Sequence, residues 1–429
     1  MKPMKIQKIL KRLLQLHPKR IDLSLDRIKR LLKNLNNPEK RITNVVQVVG
    51  TNGKHSFCST LREIFETGGY AVNMNTSPSL RRFNERYYLA GKYISDEQLH
   101  DLLIEVEKIN RDQSITFHEF ICACFFLAAS RNKSNLTILE SGLFFRLDAS
   151  NVLEKNIASI VMPIGIDHKD FLKKGTIDEI VYEKCSHLLE KSKIFVSEQK
   201  NDVLEKIKNG ISSNSSEKFI FGENYDYKKN TNGFVYKDKL GKINLPLPNL
   251  LGDFQISNVS TAIATARNLD QFKITDANIK LAITKIRSEG RLQTITRGKL
   301  RKYVSKNNEI LIDGAHNPLA ASATKKYLET FDKERKIIML LGMMANKEHK
   351  KFIQIFKNRI HSIIALNIPN QINFIEKEKL SKIVQSCGIP SKTENSIESA
   401  LKNIAKENDN AIIFCTGSLY FAGEILNSN

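Results

Sequence analysis

The sequence predicts an α/β fold, with an N-terminal doubly wound domain of the P-loop ATPase type and a smaller C-terminal Rossmann-like α/β domain. Two observations favour this fold. Short apolar runs of strand length alternate with segments in which apolar residues recur at helical spacing. In addition, an early apolar run ends in a glycine-rich turn followed by a lysine, a pattern typical of phosphate-binding loops.

Strands and helices are expected in alternation along nearly the whole chain. The strands are predicted at 44–49, 136–140, 157–162, 193–197, 310–313, 336–341, 361–366 and 411–415. The helices are predicted at 56–67, 96–110, 117–131, 176–190, 255–268, 319–330, 347–358 and 377–386. The polar stretch 222–242 predicts a small β excursion. A helical pattern over 255–286 ends before a new series begins, so we expect domains at 1–288 and 289–429.

The apolar run over 45–49 leads directly into the glycine-rich turn and Lys54, after which helical spacing begins. Glycines let backbone N–H groups approach phosphate oxygens, the helix N-terminus adds positive potential, and the lysine neutralises β- and γ-phosphates. The segment is shorter than the usual G-x-x-x-x-G-K-[ST] loop. On this segment alone, a plain glycine turn with a surface lysine therefore stays open as an alternative.

Three further polar side chains follow this loop and suit a metal ion. Ser77 precedes a proline, Glu140 ends the strand at 136–140, and His168 follows the strand at 157–162. Ligands in open α/β sheets bind beyond the carboxyl ends of the strands, and hard oxygen donors suit magnesium. A Ser-Pro turn or a single histidine is more often structural. Their succession after a phosphate loop favours the metal-binding interpretation.

Composition excludes several classes of protein. Charged residues make up 26% and hydrophobic residues 41% of the 429-residue chain, which is ordinary for a globular enzyme of more than one domain. The apolar runs fall short of the roughly 18 residues that a membrane span needs. The net charge of +21 invites a nucleic-acid interpretation, but the lysines are scattered and carry no arginine–aromatic stripe. We therefore expect no nucleic-acid partner and no membrane.

The six cysteines contain no C-x-x-C pair and support neither a zinc site nor a disulfide framework. Cys122 and Cys124 stand in an apolar run, where buried thiols are expected. This usage predicts a reduced, cytoplasmic protein. The basic residues 1–37 are compatible with a transit peptide, but acidic residues and Leu/Ile at helical spacing favour a folded helical segment.

The motifs, taken in order, are similar to those of one enzyme family. They are GTNGK at 50–54, TSP at 76–78, FNER at 83–86, RLDASNV at 146–152, GIDH at 165–168, EK at 183–184, QISN at 255–258, GRL at 290–292 and DGAHNP at 313–318. This series resembles the folylpolyglutamate synthase/dihydrofolate synthase family within the Mur ligase superfamily. The segments 83–86 and 146–152 point to the folate branch.

The resemblance implies an ATP-dependent acid–amino-acid ligase that adds L-glutamate to 7,8-dihydropteroate and to reduced folates through an acyl phosphate. ATP and Mg²⁺ would be required, with two metal sites, and we expect a monomer. The residues expected to bind the nucleotide are Gly50, Thr51, Asn52, Gly53, Lys54, Ser56, Asn258, Arg291, Asp313 and His316. Those expected to ligate magnesium are Ser77, Glu140 and His168.

The resemblance also assigns catalytic and acceptor-binding residues. The expected catalytic residues are Lys54, His168, Lys184 and Arg291. Lys184 resembles a lysine that becomes carbamylated and helps to hold a second magnesium, although its spacing alone would fit an exposed helix lysine. The pteridine acceptor is expected to contact Leu23, Ser24, Leu25, Thr116, Phe117, His118, Glu119, Leu147, Asp148 and Ala149.

Several positions depart from the family pattern. Phe144 and Phe145 replace a Gly-Gly pair, Ser79 replaces a histidine, and Phe254 replaces a histidine before Gln255. Two bulky rings in place of glycines are expected to reshape the loop before Arg146. The alternatives are therefore a folate ligase with one of the two activities, and a nucleotide-binding member of the family with weakened or altered ligase activity. A nucleic-acid binder driven by charge is a third, disfavoured reading.

Overall fold

The computed structural model describes residues 2–19 and 21–429 of the chain. It divides into two compact units. The first comprises residues 1–248 and 256–286, and the second comprises residues 249–255 and 287–429. The sequence places the boundary at residue 288, two residues beyond the end of the first unit.

The first unit is built on an eight-stranded sheet in the order β4-β3-β2-β5-β1-β6-β7-β8. Its strands are β1 (Val45–Val49), β2 (Val72–Asn75), β3 (Tyr87–Leu89), β4 (Lys92–Tyr93), β5 (Leu136–Glu140), β6 (Ala158–Val161), β7 (Lys193–Val196) and β8 (Glu217–Ile220). All neighbours pair in parallel except β2–β3 and β3–β4. The central strand β1 is fully buried between β5 and β6. The carboxyl ends of these three strands therefore lie side by side.

The helices of the first unit cover this sheet and build its core. They are α1 (Lys2–Leu13), α2 (Asp26–Asn34), α3 (Lys54–Thr67), α4 (Asp96–Asn110), α5 (Phe117–Arg131), α6 (Ile177–Cys185), α7 (Asn201–Gly210), α8 (Asp253–Arg267) and α9 (Asp276–Ile283). Capping boxes define four of the starts, through Ser95 at α4, Thr116 at α5, Thr176 at α6 and Thr275 at α9. Apolar side chains of α1 and α2 are buried in one cluster with those of α4 and α5, so both helices are folded parts of the first unit, as the sequence predicts.

A small antiparallel sheet and a second parallel-rich sheet complete the architecture. The small sheet belongs to the first unit and contains β9 (Tyr225–Asn230), β10 (Gly233–Asp238) and β11 (Gly241–Pro246).

The second unit has the sheet order β12-β13-β17-β14-β15-β16, in which only the β12–β13 pair is antiparallel. Its strands are β12 (Gln293–Thr294), β13 (Glu309–Ile312), β14 (Ile337–Leu341), β15 (Ser362–Ala365), β16 (Ser391–Thr393) and β17 (Ile412–Thr416). Its helices are α10 (Pro318–Leu328), α11 (His349–Phe356), α12 (Lys377–Ser386), α13 (Ile397–Glu407) and α14 (Leu419–Ser428). The predicted fold class is confirmed.

All eight predicted strands are present within one residue at each end, but the sequence reading missed several elements. The prediction did not include the short strands β2, β8 and β16 or the helices α7, α13 and α14. The helix predicted at 255–268 is confirmed as α8 (Asp253–Arg267), and the helical pattern that continues to residue 286 contains a separate helix, α9 (Asp276–Ile283). Within the described part of the chain, no helix is both long and apolar enough to cross a membrane.

Phe144 and Phe145 are accommodated by burial. Both rings are almost fully buried, and Phe145 joins an apolar cluster that includes Ile164, Ile180 and Val181. The backbone amide of Phe145 donates to the Glu183 carbonyl of α6 at 3.1 Å. The loop is therefore fastened to α6 by packing as well as by hydrogen bonding.

Phe145→Ala is expected to lower the free energy of unfolding by about 3–5 kcal/mol, because it removes a fully buried ring and leaves a cavity. Urea unfolding followed by circular dichroism measures this loss. Leu281→Ala is the matched control, since that side chain in the same unit is 49% exposed. A change of less than about 1 kcal/mol in Phe145→Ala would contradict the packing described here.

Candidate active site

The glycine-rich loop connects β1 to α3 and depends on two glycines with positive φ. Gly50 has φ of 143°, and a Cβ at this position would stand 2.7 Å from the Met162 Cβ. Gly53 has φ of 79°, and its Cβ would stand 2.5 Å from the Asn258 Oδ1. Any side chain at either position would meet both backbone strain and a steric clash. The tight path of the loop therefore requires glycine.

Some backbone amides in and after this loop hold the loop in place, and others remain as donors for an anion. Those of Thr51 and Asn52 donate to the Pro163 carbonyl at 2.9 and 3.1 Å, and the Thr51 hydroxyl donates to the Gly165 carbonyl at 3.0 Å. These bonds hold the loop against the segment that follows β6. Because the first turn of a helix has N–H groups without intrahelical acceptors, the start of α3 at Lys54 supplies the remaining donors for an anion.

Lys54 lies across the loop that it follows. Its Nζ donates to the carbonyls of Gly50 and Thr51 at 3.1 and 3.3 Å. The side chain therefore stays at the loop and places a positive charge beside the N-terminus of α3. Ser56, on the first turn of α3, is buried.

Two of the three predicted metal ligands lie in contact. The Ser77 amide donates to the Glu140 Oε2 at 3.1 Å, and Glu140 is buried at the end of β5. His168 lies in the segment after β6, where its backbone amide donates to the Asp167 Oδ1 at 2.9 Å. Since β5 and β6 flank β1, the segments that carry the three residues leave the sheet at the same edge.

The donor set fits a magnesium ion better than a zinc ion. It contains a carboxylate and a hydroxyl, the hard oxygen ligands that magnesium prefers, together with one imidazole. Among the described residues, no group of three or more His, Cys, Asp or Glu side chains could hold a metal by itself. A cation bound here would complete its shell with water or phosphate oxygens, as magnesium commonly does.

Lys184 is buried, so the alternative of an exposed helix lysine is wrong. Its side chain leaves α6 and donates from Nζ to the Gly50 carbonyl at 3.0 Å and to the Leu143 carbonyl at 2.9 Å. The Phe144 ring centroid lies 5.5 Å from the same nitrogen. Burial lowers the pKa of Lys184 to about 7, and the nearby Lys54 cation adds to this effect. The neutral amine is therefore favoured relative to that of an exposed lysine.

Arg146 attaches the loop that contains Leu143 to helix α6. Its guanidinium bonds both carboxylate oxygens of Glu183, with a shortest distance of 2.8 Å. Its backbone amide also donates to the Glu183 carbonyl at 2.9 Å. Bidentate pairs of this kind are geometrically specific. The sequence reading identified these residues only as motif members and missed the pairing that positions Lys184.

The three segments assigned to the acceptor are connected by charged side chains. Arg27 donates to the Asp22 carboxylate at 2.8 Å and to the Glu119 carboxylate at 3.0 Å, which ties the segment before α2 to the start of α5. Glu119 also accepts from the Thr116 amide at 2.8 Å. The His118 Nε2 lies 3.5 Å from the Asp148 Oδ2. The residues 23–25, 116–119 and 147–149 therefore belong to one linked region.

Asp148 acts as an anchor within this region. Its Oδ2 accepts from the amides of Gly142 and Leu143 at 3.0 and 3.3 Å, and its Oδ1 accepts from the Ser150 amide and hydroxyl at 2.9 and 2.6 Å. Burial would raise the pKa of Asp148, but His118 and the Ser150 donors lower it far below its usual range. The carboxylate is therefore ionised and committed to partners within the protein.

In the second unit, three of the predicted nucleotide-binding residues gather around one loop. The Asp313 carboxylate accepts from the Leu292 and Ala315 amides, both at 2.8 Å. A Cβ on Gly314 would stand 2.7 Å from an Arg291 guanidinium nitrogen, and the His316 Nδ1 lies 2.9 Å from the Gly314 carbonyl. Burial raises the pKa of Asp313, although the Arg291 charge opposes this shift. Asn258 lies elsewhere, beside Gly53 in the first unit.

Comparisons with known proteins cover nearly the whole chain. The family model described as the Mur ligase middle domain matches residues 48–266, and the one described as the dihydrofolate synthetase C-terminal domain matches residues 296–428. The dihydrofolate synthase/folylpolyglutamate synthase of Buchnera aphidicola subsp. Acyrthosiphon pisum is 30% identical, with 97% of this chain and 96% of the relative covered.

Solved structures share the fold. E. coli FolC in complex with DHPP and ADP is 24% identical, with a TM-score of 0.87 and coverage of 98% of this chain and 97% of the other. The bifunctional folylpolyglutamate synthase/dihydrofolate synthase of Yersinia pestis, complexed with AMPPNP and Mn ion, is 22% identical, with a TM-score of 0.86 and coverage of 99% and 97%.

Gly53→Ala is expected to weaken the affinity for MgATP at least about tenfold, because the added methyl group meets the Asn258 side chain and displaces the loop. Isothermal titration with a non-hydrolysable ATP analogue measures the change. Gly69→Ala is the matched control, since Gly69 has φ of 84° and open space around its Cβ position. Equal ATP affinities in the two variants would contradict the role of the Gly53 path.

Proposed function

The chain belongs to the dihydrofolate synthase/folylpolyglutamate synthase family of the Mur ligases, and we propose that it joins L-glutamate to 7,8-dihydropteroate and to reduced folates with consumption of ATP. The observation that carries this proposal is the connection between the phosphate loop and the acceptor region. Lys184 bonds Gly50 of the phosphate loop and Leu143, and the Leu143 amide bonds Asp148 of the acceptor region.

The proposed reaction has two steps. A carboxylate oxygen of the acceptor attacks the γ-phosphorus of ATP, the bond to the β–γ bridging oxygen breaks, and ADP leaves. The amine of glutamate then attacks the acyl phosphate carbon, loses a proton and expels inorganic phosphate. Charge neutralisation and positioning supply most of the catalysis in such phosphoryl transfer. Lys54 and the first-turn amides of α3 are the groups that would hold the β- and γ-phosphates.

Magnesium fits the oxygen donors at the edge of the sheet. Ser77, Glu140 and His168 would hold one ion, and it would neutralise phosphate charge and polarise the reacting phosphoryl group. Burial of Glu140 keeps its carboxylate in a fixed position at the end of β5. The nucleotide roles of Asn258, Arg291, Asp313 and His316 are part of the same proposal. They are supported by the family relationship and by the ordered loop at Asp313.

A second candidate is an enzyme with dihydrofolate synthase activity alone. It is favoured by the name of the family model that matches residues 296–428, which refers to dihydrofolate synthetase only. The structure places Phe144, where the family pattern has glycine, one residue after Leu143 in the loop anchored by Asp148. A change in this loop is a physical reason for a narrower choice of acceptor. We further propose that the protein acts as a monomer in the cytoplasm.

The proposed function is tested by phosphate release from MgATP with L-glutamate and either 7,8-dihydropteroate, tetrahydrofolate or no acceptor. Release with both acceptors, together with products heavier by one glutamyl unit, is the expected result. Release with dihydropteroate alone would establish the second candidate. Tight ATP binding without release in any mixture would contradict both.

Lys54→Ala is expected to lower turnover in this assay by at least about 100-fold, because the phosphates lose their positive partner. Lys280→Ala removes the same charge from an exposed position on α9 of the same unit and is the control. Turnover by Lys54→Ala within a few-fold of the Lys280→Ala rate would disprove the assignment of the phosphate loop.

Lys184→Ala is expected to lower turnover and to recover part of it when short-chain carboxylic acids are added. The neutral amine would attack the carbon of carbon dioxide, forming an N–C bond while one C=O π bond breaks and the nitrogen releases a proton to solvent; the resulting carbamate is an anion and could hold a second magnesium. The lowered pKa of about 7 provides the neutral amine. The measurement is the rate as a function of added acetate, with the intact protein as control. An undiminished rate would show that Lys184 has no role in turnover, and failure of rescue would leave only its role in holding the loop.

A further inference from the structure

Beyond the ends of β6 and β7, a side chain takes over the pairing of the two segments. The Ser197 amide donates to the Val161 carbonyl at 2.9 Å. After this bond, the Gln199 Nε2 donates to the Met162 carbonyl at 3.2 Å, and the Gln199 Oε1 accepts from the Ile164 amide at 2.9 Å. Since one carboxamide carries both a donor and an acceptor, Gln199 provides the two bonds that a backbone residue would provide in a parallel ladder.

The residue between these two contacts holds the phosphate loop. The Pro163 carbonyl accepts from two amides of that loop at 2.9 and 3.1 Å. The Thr51 hydroxyl donates to the Gly165 carbonyl at 3.0 Å and accepts from the Gly165 amide at 3.1 Å. Because β6 lies between β1 and β7, Gln199 holds the segment 162–165 on one side, while the phosphate loop is attached to it on the other.

Met162 transmits the position of this segment to both glycines of the phosphate loop. A Cβ on Gly50 would stand 2.9 Å from the Met162 carbonyl oxygen, which is the atom that Gln199 bonds. A Cβ on Gly53 would stand 3.2 Å from the Met162 Cε. Met162 is fully buried, and close-packed interiors pass small displacements to their neighbours. A shift of the Met162 carbonyl therefore displaces the backbone that leads to the anion donors of α3.

We propose that Gln199 is a positioning residue for nucleotide binding and acts through the segment 162–165 on the phosphate loop. This inference rests on the proposed function, since it takes that loop as the site of the ATP phosphates. The first-turn amides of α3 bind phosphate oxygens only when they are aimed at them, so the path of the loop decides the affinity. The same segment leads to His168, so its position also bears on a proposed magnesium ligand.

The first test removes both bonds while keeping the size of the side chain. Gln199→Met introduces no charge, so a loss of affinity in this variant cannot come from repulsion of the phosphates. Isothermal titration with magnesium and a non-hydrolysable ATP analogue is expected to show binding about tenfold weaker than in the intact protein. Gln385→Met is the control, because the Gln385 carboxamide donates to the Ser391 carbonyl at an exposed position of the second unit.

Gln199→Glu separates the donor from the acceptor. Its carboxylate can still accept from the Ile164 amide, but it has no hydrogen for the Met162 carbonyl and would repel that oxygen. We therefore expect Gln199→Glu to lose at least as much affinity for the ATP analogue as Gln199→Met. An affinity equal to that of the intact protein would show that the bond to Met162 does not position the loop, and it would contradict the proposal.

Hydrogen exchange followed by mass spectrometry reports on the loop itself. The amides that Pro163 holds lie in the segment 50–54, whereas the segment 136–141 contains β5, on the side of β1 away from β6. Gln199→Met is expected to increase the exchange rate at 50–54 about tenfold and to leave the rate at 136–141 unchanged. A purely structural role would destabilise the sheet as a whole, and both segments would then exchange faster.

Two results would overturn the proposal. One is a Gln199→Met variant that binds the ATP analogue as tightly as the intact protein, and the other is an equal increase of exchange in both segments. Binding and exchange are measured without turnover. A protein whose ATP affinity depends on Gln199 but which adds glutamate to neither acceptor would therefore contradict the proposed function and leave this inference standing.

Discussion

The arrangement of the candidate site in the first unit depends on the two hydrogen bonds that the buried amine of Lys184 donates. Its two acceptors, the Gly50 and Leu143 carbonyls, belong to segments that follow different strands, and one nitrogen holds both at about 3 Å. A buried amine without such acceptors would carry a large desolvation cost. Glu183 reinforces the same contact, because its pairing with Arg146 fixes the loop that presents Leu143. Phosphate loop, helix α6 and acceptor region are therefore one connected structure.

Strand pairing explains why residues in the loops after β1 and β6 constrain one another although they are far apart in the sequence. Gly50 must lack a side chain because Met162 fills the adjacent space, and the Pro163 carbonyl holds two amides of the same loop. Both contacts arise from the pairing of β1 with β6, which places residues after the two strands side by side. The sheet order thus determines which backbone groups hold the loop and which remain for an anion at the start of α3.

Much of the fold was predictable from sequence, since long segments with apolar residues at strand or helix spacing indicate which elements are buried. The eight predicted strands and the starts of α4, α5 and α12 were found because apolar runs and apolar residues at helical spacing mark them. Contacts between distant segments were not predictable in this way. The division of loop amides between Pro163 and an anion, and the pairing of Arg146 with Glu183, depend on tertiary geometry. Helical spacing at 176–190 does not distinguish a buried lysine from an exposed one, so only the match to the family motif favoured a functional Lys184 over an exposed one.

The departures from the family pattern have a common physical consequence. Phe144 and Phe145 add two buried rings where small residues are expected, and the ring of Phe144 lies against the Lys184 amine. Apolar volume at this point excludes water, and exclusion of water is the main cause of the lowered pKa of Lys184. None of these substitutions removes a predicted ligand of phosphate or metal. They act instead on the surroundings of Lys184, because the Phe144 ring lies beside its amine and helps to keep water away from it.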